Sequence, residues 1–372
     1  MKKKFDIVFF ISDEGYGHTV RQRAIIKEFL KKKEIKSITI YTSQNLKILK
    51  EEFLNKVNYR DVFNNIRTKK NSQGHLKIKE TVHQLENWKK TSKIWLKKRL
   101  RENIKADFII SDFVPEAFEL ASILGIKSYG ICHFTWDWLY TKILKRKRKL
   151  TLMESYVKKA NKIFFPPITE SEILKKYKKI SYKINFIITE FKKNKLTNKK
   201  IVAIIMDNGT KSNSRNIANI LPYLKELNKI KFYIQADNFI NNSMLYKIAQ
   251  DSKNIELIYG NKNIHSKLPL SNFVIARGGF NTISECLVLK KPSLLIEEPK
   301  NPEIKKNLDY VFKKKYGSPL RAKDLSKNII SRLNKFLEYE YNPLKKRLNN
   351  IKFKSNGAKQ VCNEILRDIK ND

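Results

Sequence analysis

The chain has 372 residues, and 78 Lys+Arg against 36 Asp+Glu give it a formal net charge of +42. Its 41% hydrophobic and 11% aromatic residues supply enough apolar material for two packed cores, which excludes wholesale disorder. The lysines are spread along the whole chain, so composition explains the charge as readily as an anionic partner does. No RRM, KH or zinc-knuckle pattern points to a specific nucleic acid.

The first element in chain order is a strand, Asp6–Ile11. The basic-then-apolar start imitates a secretion signal, but Asp6 interrupts it and Asp13-Glu14 follow without a small-residue cleavage site. No other stretch approaches the ~20 apolar residues that span a bilayer. Cys132, Cys286 and Cys362 lie far apart with no CxxC pair, which predicts reduced thiols in a cytoplasmic protein.

Ser12–Arg21, SDEGYGHTVR, joins that strand to a helical pattern over Arg23–Lys31. Gly15 and Gly17 at a strand-to-helix turn let another molecule approach the backbone, and His18 falls at the carboxyl end of the sheet. A structural turn with an incidental histidine fits the same residues. The third glycine of a dinucleotide fingerprint is missing, and no acid ends the next strand, Ser37–Tyr41.

Further strands are expected at Phe108–Ser111, Ser128–Ile131 and Lys162–Phe165. Asp112 ends the first of these, on the sheet edge that carries His18. A carboxylate beside an imidazole orients it and raises its basicity; the competing role for Asp112 is a cap for the helix beginning near Pro115. His133–Trp138, HFTWDW, follows the Ser128–Ile131 strand. Trp136 and Asp137 there suit a sugar ring and its hydroxyls, or else Trp136 and Trp138 plug the core. Lys142–Lys149 and the Trp88-, Ile94-, Trp95- and Leu100-bearing region over Lys89–Lys105 are the basic clusters that would meet an anionic membrane.

The polar Phe191–Lys200 stretch separates two series of strands and helices. The predicted division is a domain over 1–190, a linker over 191–200 and a domain over 201–372, with the last helix able to pack back on the first domain. Strands in the second half are expected at Ile201–Met206, Lys231–Gln235, Ile255–Ile258, Phe273–Ala276 and Ser293–Ile296. Strand–helix alternation predicts an α/β fold with parallel sheets in both halves. In Ile275–Glu285, IARGGFNTISE, a strand runs through Arg277, Gly278 and Gly279 into a helix that starts with Asn281 and Thr282. Amides and hydroxyls at a helix N-terminus suit a diphosphate, Arg277 adds a cation, and Glu285 lies one turn on, within reach of a ribose diol.

The segment ARGGFNTISECLVLKKPSLLIEEP resembles the donor-binding segment of GT-B transferases, both the MurG type and the UDP-glycosyltransferases. SDEGYGHTVRQRAI and ISDFVPEAFELASILGIKSYGI resemble the acceptor domain of a branch that opens with GxGHxxR. The resemblance implies a GT-B fold, two Rossmann-like domains facing a central cleft. It implies a glycosyltransferase of hexosyl or N-acetylhexosaminyl type, inverting, metal-independent and without a cofactor. A nucleotide-diphosphate sugar, a UDP-sugar above all, would be the donor, and a glycan or lipid-linked envelope precursor the acceptor, at the inner membrane face.

By that resemblance His18 is the general base and Asp112 its partner. Gly209, Thr210, Arg277, Gly278, Gly279, Asn281, Thr282, Glu285 and Glu303 hold the donor. Gly15, Gly17, Arg21, Trp136 and Asp137 face the acceptor. The Asp207–Thr210 loop carries one glycine where relatives often have two, and Glu303 is followed by Ile304 where they often have glutamine. A binding protein without turnover and a sugar-nucleotide 2-epimerase stand as alternatives on the same fold.

Overall fold

A computed structural model describes residues 3–64, 66–71, 76–144, 150–188, 191, 201–206, 211–236, 243–298 and 300–370. The chain divides into two units. The first comprises 1–69, 77–189 and 354–372, the second 70–76 and 190–353. Most of the 191–200 stretch, Lys145–Lys149 and the Asp207–Thr210 loop lie outside the described residues.

The first unit is built on strands β1 (Phe5–Ile11), β2 (Ile35–Thr42), β3 (Asn58–Asp61), β4 (Phe108–Asp112), β5 (Lys127–Ile131), β6 (Lys162–Phe165) and β7 (Ser181–Lys183). They form one seven-stranded sheet in the order β3-β2-β1-β4-β5-β6-β7, with parallel pairs throughout. The helices are α1 (Tyr16–Leu30), α2 (Leu46–Phe53), α3 (Ile78–Leu100), α4 (Pro115–Leu124), α5 (Trp136–Leu144), α6 (Thr151–Val157) and α7 (Ser171–Lys176). Central strands of parallel sheets are covered on both faces and so read as continuous apolar runs. FDIVFFI of β1 and FIISD of β4 follow that rule, and all of β4 is buried, Asp112 included.

The second unit has β8 (Ile201–Met206), β9 (Ile230–Gln235), β10 (Ile255–Ile258), β11 (Phe273–Arg277), β12 (Ser293–Ile296) and β13 (Ser318–Leu320), ordered β10-β9-β8-β11-β12-β13. Its helices are α8 (Lys211–Leu224), α9 (Ser243–Gln250), α10 (Asn261–Lys267), α11 (Phe280–Val288), α12 (Pro302–Lys313), α13 (Ile329–Lys335) and α14 (Tyr341–Asn349). The last helix, α15 (Gly357–Lys370), belongs to the first unit. Its apolar stripe of Val361, Cys362, Ile365 and Leu366 joins the core that holds Ile25, Ile26 and Phe29 of α1. Lys162 bonds Glu364 at 2.7 Å and Tyr129 bonds Asp368 at 2.5 Å, fixing the same helix to β6 and β5.

In each sheet the strand order reverses once, between β1 and β4 in the first unit and between β8 and β11 in the second. Loops leaving the carboxyl ends of strands at such a reversal diverge, and the crevice they leave is where open α/β sheets bind ligands. Among the described residues no helix is long and apolar enough to cross a membrane. All three cysteines are buried and none is in a disulfide. The tryptophan-bearing basic region is α3, with Trp88 and Trp95 inward and Lys89, Lys90, Lys93, Ile94, Lys97 and Lys98 outward.

Candidate active site

In the first unit the reversal brings the β1–α1 turn beside the end of β4, where Ile11 pairs in register with Asp112. Gly15 makes the turn with φ 78° and ψ −176°, a conformation open to glycine and strained for any residue with a Cβ. The acid preceding it, Asp13, is structural. Its Oδ1 accepts from the backbone N–H of Ser43 and Gln44 at 3.0 and 2.8 Å, and its Oδ2 from that of Asn64 at 2.6 Å.

The first turns of α1 then place His18, Arg21 and Gln22 on one face, three and four residues apart. All three converge on Asp112, which is fully buried. His18 Nδ1 lies 2.9 Å from Oδ1, Arg21 donates through Nη2 to Oδ1 at 2.6 Å and through Nε to Oδ2 at 3.1 Å, and Gln22 Nε2 donates to Oδ2 at 2.7 Å. Burial alone would raise the Asp112 carboxyl, but the Arg21 charge and the hydrogen bonds from His18 and Arg21 outweigh it and hold the group at about 2. Asp112 is therefore an ionised, acceptor-only carboxylate. His18 is 7% exposed, and no hydrogen bond engages its Nε2 among the described residues. A carboxylate on one ring nitrogen and an unengaged second nitrogen is the arrangement of an oriented general base. Asp112 does not cap α4, whose N-terminus has no side-chain cap.

Three expected acceptor contacts are corrected. Arg21 is 2% exposed and its guanidinium is engaged with Asp112, so it does not reach out to a ligand. Trp136 is 2% exposed and its indole N–H donates to the Phe113 carbonyl at 2.8 Å, which makes it a core plug. Asp137 is buried and paired with Lys176 Nζ at 2.6 Å, the reach of an internal ion pair and not of a sugar ligand. Gly17 is exposed in the first turn of α1. Gln22, His133 and Phe113 are site residues that sequence reasoning missed. Helical spacing from His18 marks Gln22, whereas nothing in the local sequence marks Phe113. Phe113 carries φ 61° and packs its ring 4.6 Å from that of His18, while His133 Nδ1 lies 3.4 Å from Arg21 Nη1.

In the second unit β11 delivers Arg277 to the reversal, and Gly278 and Gly279 lead into α11. A Cβ on Gly278 would meet Leu308 Cδ2 at 2.6 Å and Cγ at 2.8 Å, so only glycine lets this turn lie against α12. Asn307 Nδ2 donates to the Gly278 carbonyl at 3.1 Å and fixes it from the same helix. Arg277 Nε bonds Glu298 at 2.5 Å, a partner the sequence did not suggest. Thr282 is buried and Asn281 half-buried at the start of α11. One turn on, Glu285 is 1% exposed, with Oε1 3.3 Å from His265 Nδ1 and Oε2 without a hydrogen-bond partner among the described residues. Glu303 lies in the first turn of α12, because Asn301 caps that helix at the Glu303 and Ile304 N–H and Pro302 opens it. Gly209 and Thr210 are outside the described residues. No group of three or more His, Cys, Asp or Glu among the described residues has the arrangement of a metal site.

Two units, each built on a parallel sheet whose strand order reverses once, have the GT-B fold. The Glycosyltransferase family 28 C-terminal domain matches residues 208–361, and the Glycosyl transferase family 1 domain matches residues 5–131. The chain thus has the GT-B fold and matches a glycosyltransferase model in each half. Solved structures with the same fold include the glycotransferase of kitacinnamycin, at 12% identity and TM-score 0.70 over 98% of this chain and 99% of that one. MurG of Acinetobacter baumannii follows at 11% identity and TM-score 0.62, over 97% and 99%. A UDP-N-acetylglucosamine 2-epimerase shares the fold at 12% identity and TM-score 0.60, over 100% and 98%. No curated protein sequence matches the chain.

Proposed function

We propose that the protein transfers a hexosyl or N-acetylhexosaminyl group from a nucleotide-diphosphate sugar to a hydroxyl acceptor, with inversion at the anomeric carbon. The UDP-sugars are the first candidates for donor, and a glycan, glycolipid or other envelope precursor for acceptor. The buried His18–Asp112 pair at the strand reversal carries this reading, because Asp112 leaves His18 Nε2 as the group able to take a proton. Nε2 removes the proton of the acceptor hydroxyl as its oxygen bonds to the anomeric carbon and the bond to the diphosphate breaks. Arg277, the amides after Gly278 and Gly279, and the positive end of α11 take up the charge of the departing diphosphate, so no metal is invoked. Thr282 and Asn281 adjoin those phosphates. Glu285, with an unpartnered buried oxygen, suits a ribose diol. Gly209, Thr210 and Glu303 complete the donor side.

A panel of UDP-, GDP-, ADP- and dTDP-sugars screened by thermal shift, followed by hydrolysis and transfer assays on the hits, tests the reading. Absence of any nucleotide-dependent shift sinks it. Binding without turnover converts it into the binding-protein alternative, and interconversion of the free sugar nucleotide into the epimerase. The basic outer face of α3 is the surface we assign to an anionic lipid-water boundary near a lipid-linked acceptor. Vesicles of anionic lipid should lose the protein when Lys89, Lys90, Lys97 and Lys98 are neutralised.

A further inference from the structure

We propose that Arg21 is the positioning residue of the base site. Its guanidinium holds the Asp112 carboxylate in the orientation that presents Oδ1 to His18 Nδ1, and so sets the imidazole tautomer that leaves Nε2 bare. The role of Nε2 as base rests on the transferase reading above; the tautomer assignment does not.

Four donors meet the two oxygens of Asp112. Oδ1 receives His18 and Arg21 Nη2, and Oδ2 receives Arg21 Nε and Gln22. Only Arg21 touches both oxygens, and a planar fork bound to both is what stops a carboxylate from turning about its own axis. Without it, one oxygen keeps only the imidazole and the other only the Gln22 amide. The guanidinium also cancels the carboxylate charge within the buried cluster, where an uncompensated anion is costly.

The tautomer follows from the contacts at Nδ1. Oδ1 lies 2.9 Å away and Arg21 Nη2 lies 3.3 Å away. A bare Nδ1 would set its lone pair against an ionised oxygen. A protonated Nδ1 donates to that oxygen over the shorter of the two contacts, so the proton sits on Nδ1. The guanidinium then lies beside this bond and can offer a proton to His133 Nδ1, 3.4 Å from Nη1. Phe113 closes the cluster. Its ring lies 4.6 Å from the imidazole and 5.7 Å from the guanidinium, and its left-handed backbone is held by the Trp136 indole on its carbonyl. His18, Arg21 and Gln22 share one face of α1, so a single rigid element supplies three of the groups that surround Asp112.

The test uses the full chain with 15N-labelled histidine and long-range 1H–15N spectra, the His18 signals being assigned by their loss in His18→Gln. In the wild type His18 should show a protonated Nδ1 and an unprotonated Nε2. Arg21→Met and the polar Arg21→Gln, paired to guard against a folding defect in either, should give mixed tautomers at His18. Arg21→Lys, which restores the charge without the fork, should recover the tautomer in part. With an active donor in hand, the charge-removing variants should lose roughly 10–100-fold in kcat, with KM for the donor within about twofold, since a misplaced tautomer disables the base and not the donor site. A wild-type tautomer in folded Arg21→Met or Arg21→Gln overturns the assignment. A shifted tautomer in a chain whose His18→Gln variant still transfers sugar at the wild-type rate leaves Arg21 in place and removes only the base role.

Discussion

The two strand reversals solve the same topological problem with different materials. In the first unit the crevice is furnished by buried charge: Asp112, Arg21, His18 and Gln22 satisfy one another at the end of β4. In the second it is furnished by space and backbone: Gly278 lies where a Cβ would strike Leu308, and the buried carboxylate one turn into α11 keeps one oxygen unpartnered. Under the proposed function the first site must move a proton, which needs charges fixed before the ligand arrives, and the second must grip a diphosphate, which needs amides and room. The contrast predicts that mutations at the first reversal lose rate and mutations at the second lose affinity.

The largest expected effect is His18→Ala, a fall in turnover of ~10²–10⁴-fold with the thermal shift produced by donor nucleotide unchanged. Retained turnover would break the comparison at its stronger end. Next comes Gly278→Ala, which drives a methyl group into Leu308 on the buried face of α12. Overpacking of this kind costs about 1–3 kcal/mol, so we expect a lower Tm together with weaker UDP binding by calorimetry. An unaltered Tm with intact UDP binding would show that α12 gives way and that the glycine is not a spatial requirement.

The third effect is smaller. Glu285→Gln keeps the shape of the side chain but loses the anionic acceptor, and we expect UDP to bind about 10-fold more weakly. Stability without ligand should stay the same or rise, because a buried carboxylate is replaced by a neutral amide. If UDP binding survives while stability falls, Glu285 belongs to the fold through His265 and not to the donor.

The strands at the centres of both sheets were readable from sequence because burial on two faces writes an unbroken apolar run. The strands missed were β3 (NYRD), β7 (SYK) and β13 (SPL), three short sheet edges whose polar or proline-bearing sequences look like loops. The edge strand β10 was found because IELI keeps its apolar residues. The same division holds at the site. His18 and Asp112 could be paired from their positions at the carboxyl ends of two apolar inner strands, since parallel strands put such ends on one sheet edge. Trp136 and Asp137 could not be sorted, because an aromatic beside an acid suits a sugar or a core equally well. What decides is a carbonyl at Phe113 and an amine at Lys176, the latter 39 residues along the chain. Arg21 and Gln22 stood in the helical register of His18, and their common target became visible only with β4 in place.

The last prediction sharpens the comparison within the first unit, where two buried carboxyls four residues apart behave oppositely. Asp112 has Arg21 and is held at about 2, whereas Glu116 has only the Trp88 indole N–H and its own backbone as partners, and burial pushes it up to about 7. Its second oxygen, Oε2, has no partner among the described residues. The signs follow from linkage. A carboxyl raised on folding contributes stability that is complete below its unfolded value of 4.5 and lost as pH climbs through about 7. One that is lowered contributes above 3.8 and loses that contribution only as pH falls toward about 2. Glu116→Gln retains an acceptor for the indole and cannot ionise. It should lie close to the wild type in denaturant unfolding at pH 5 and exceed it at pH 8 by roughly 2–3 kcal/mol. An equal difference at both pH values would mean that Glu116 is already ionised in the folded protein at pH 5, and that burial without a counter-charge is not what separates it from Asp112.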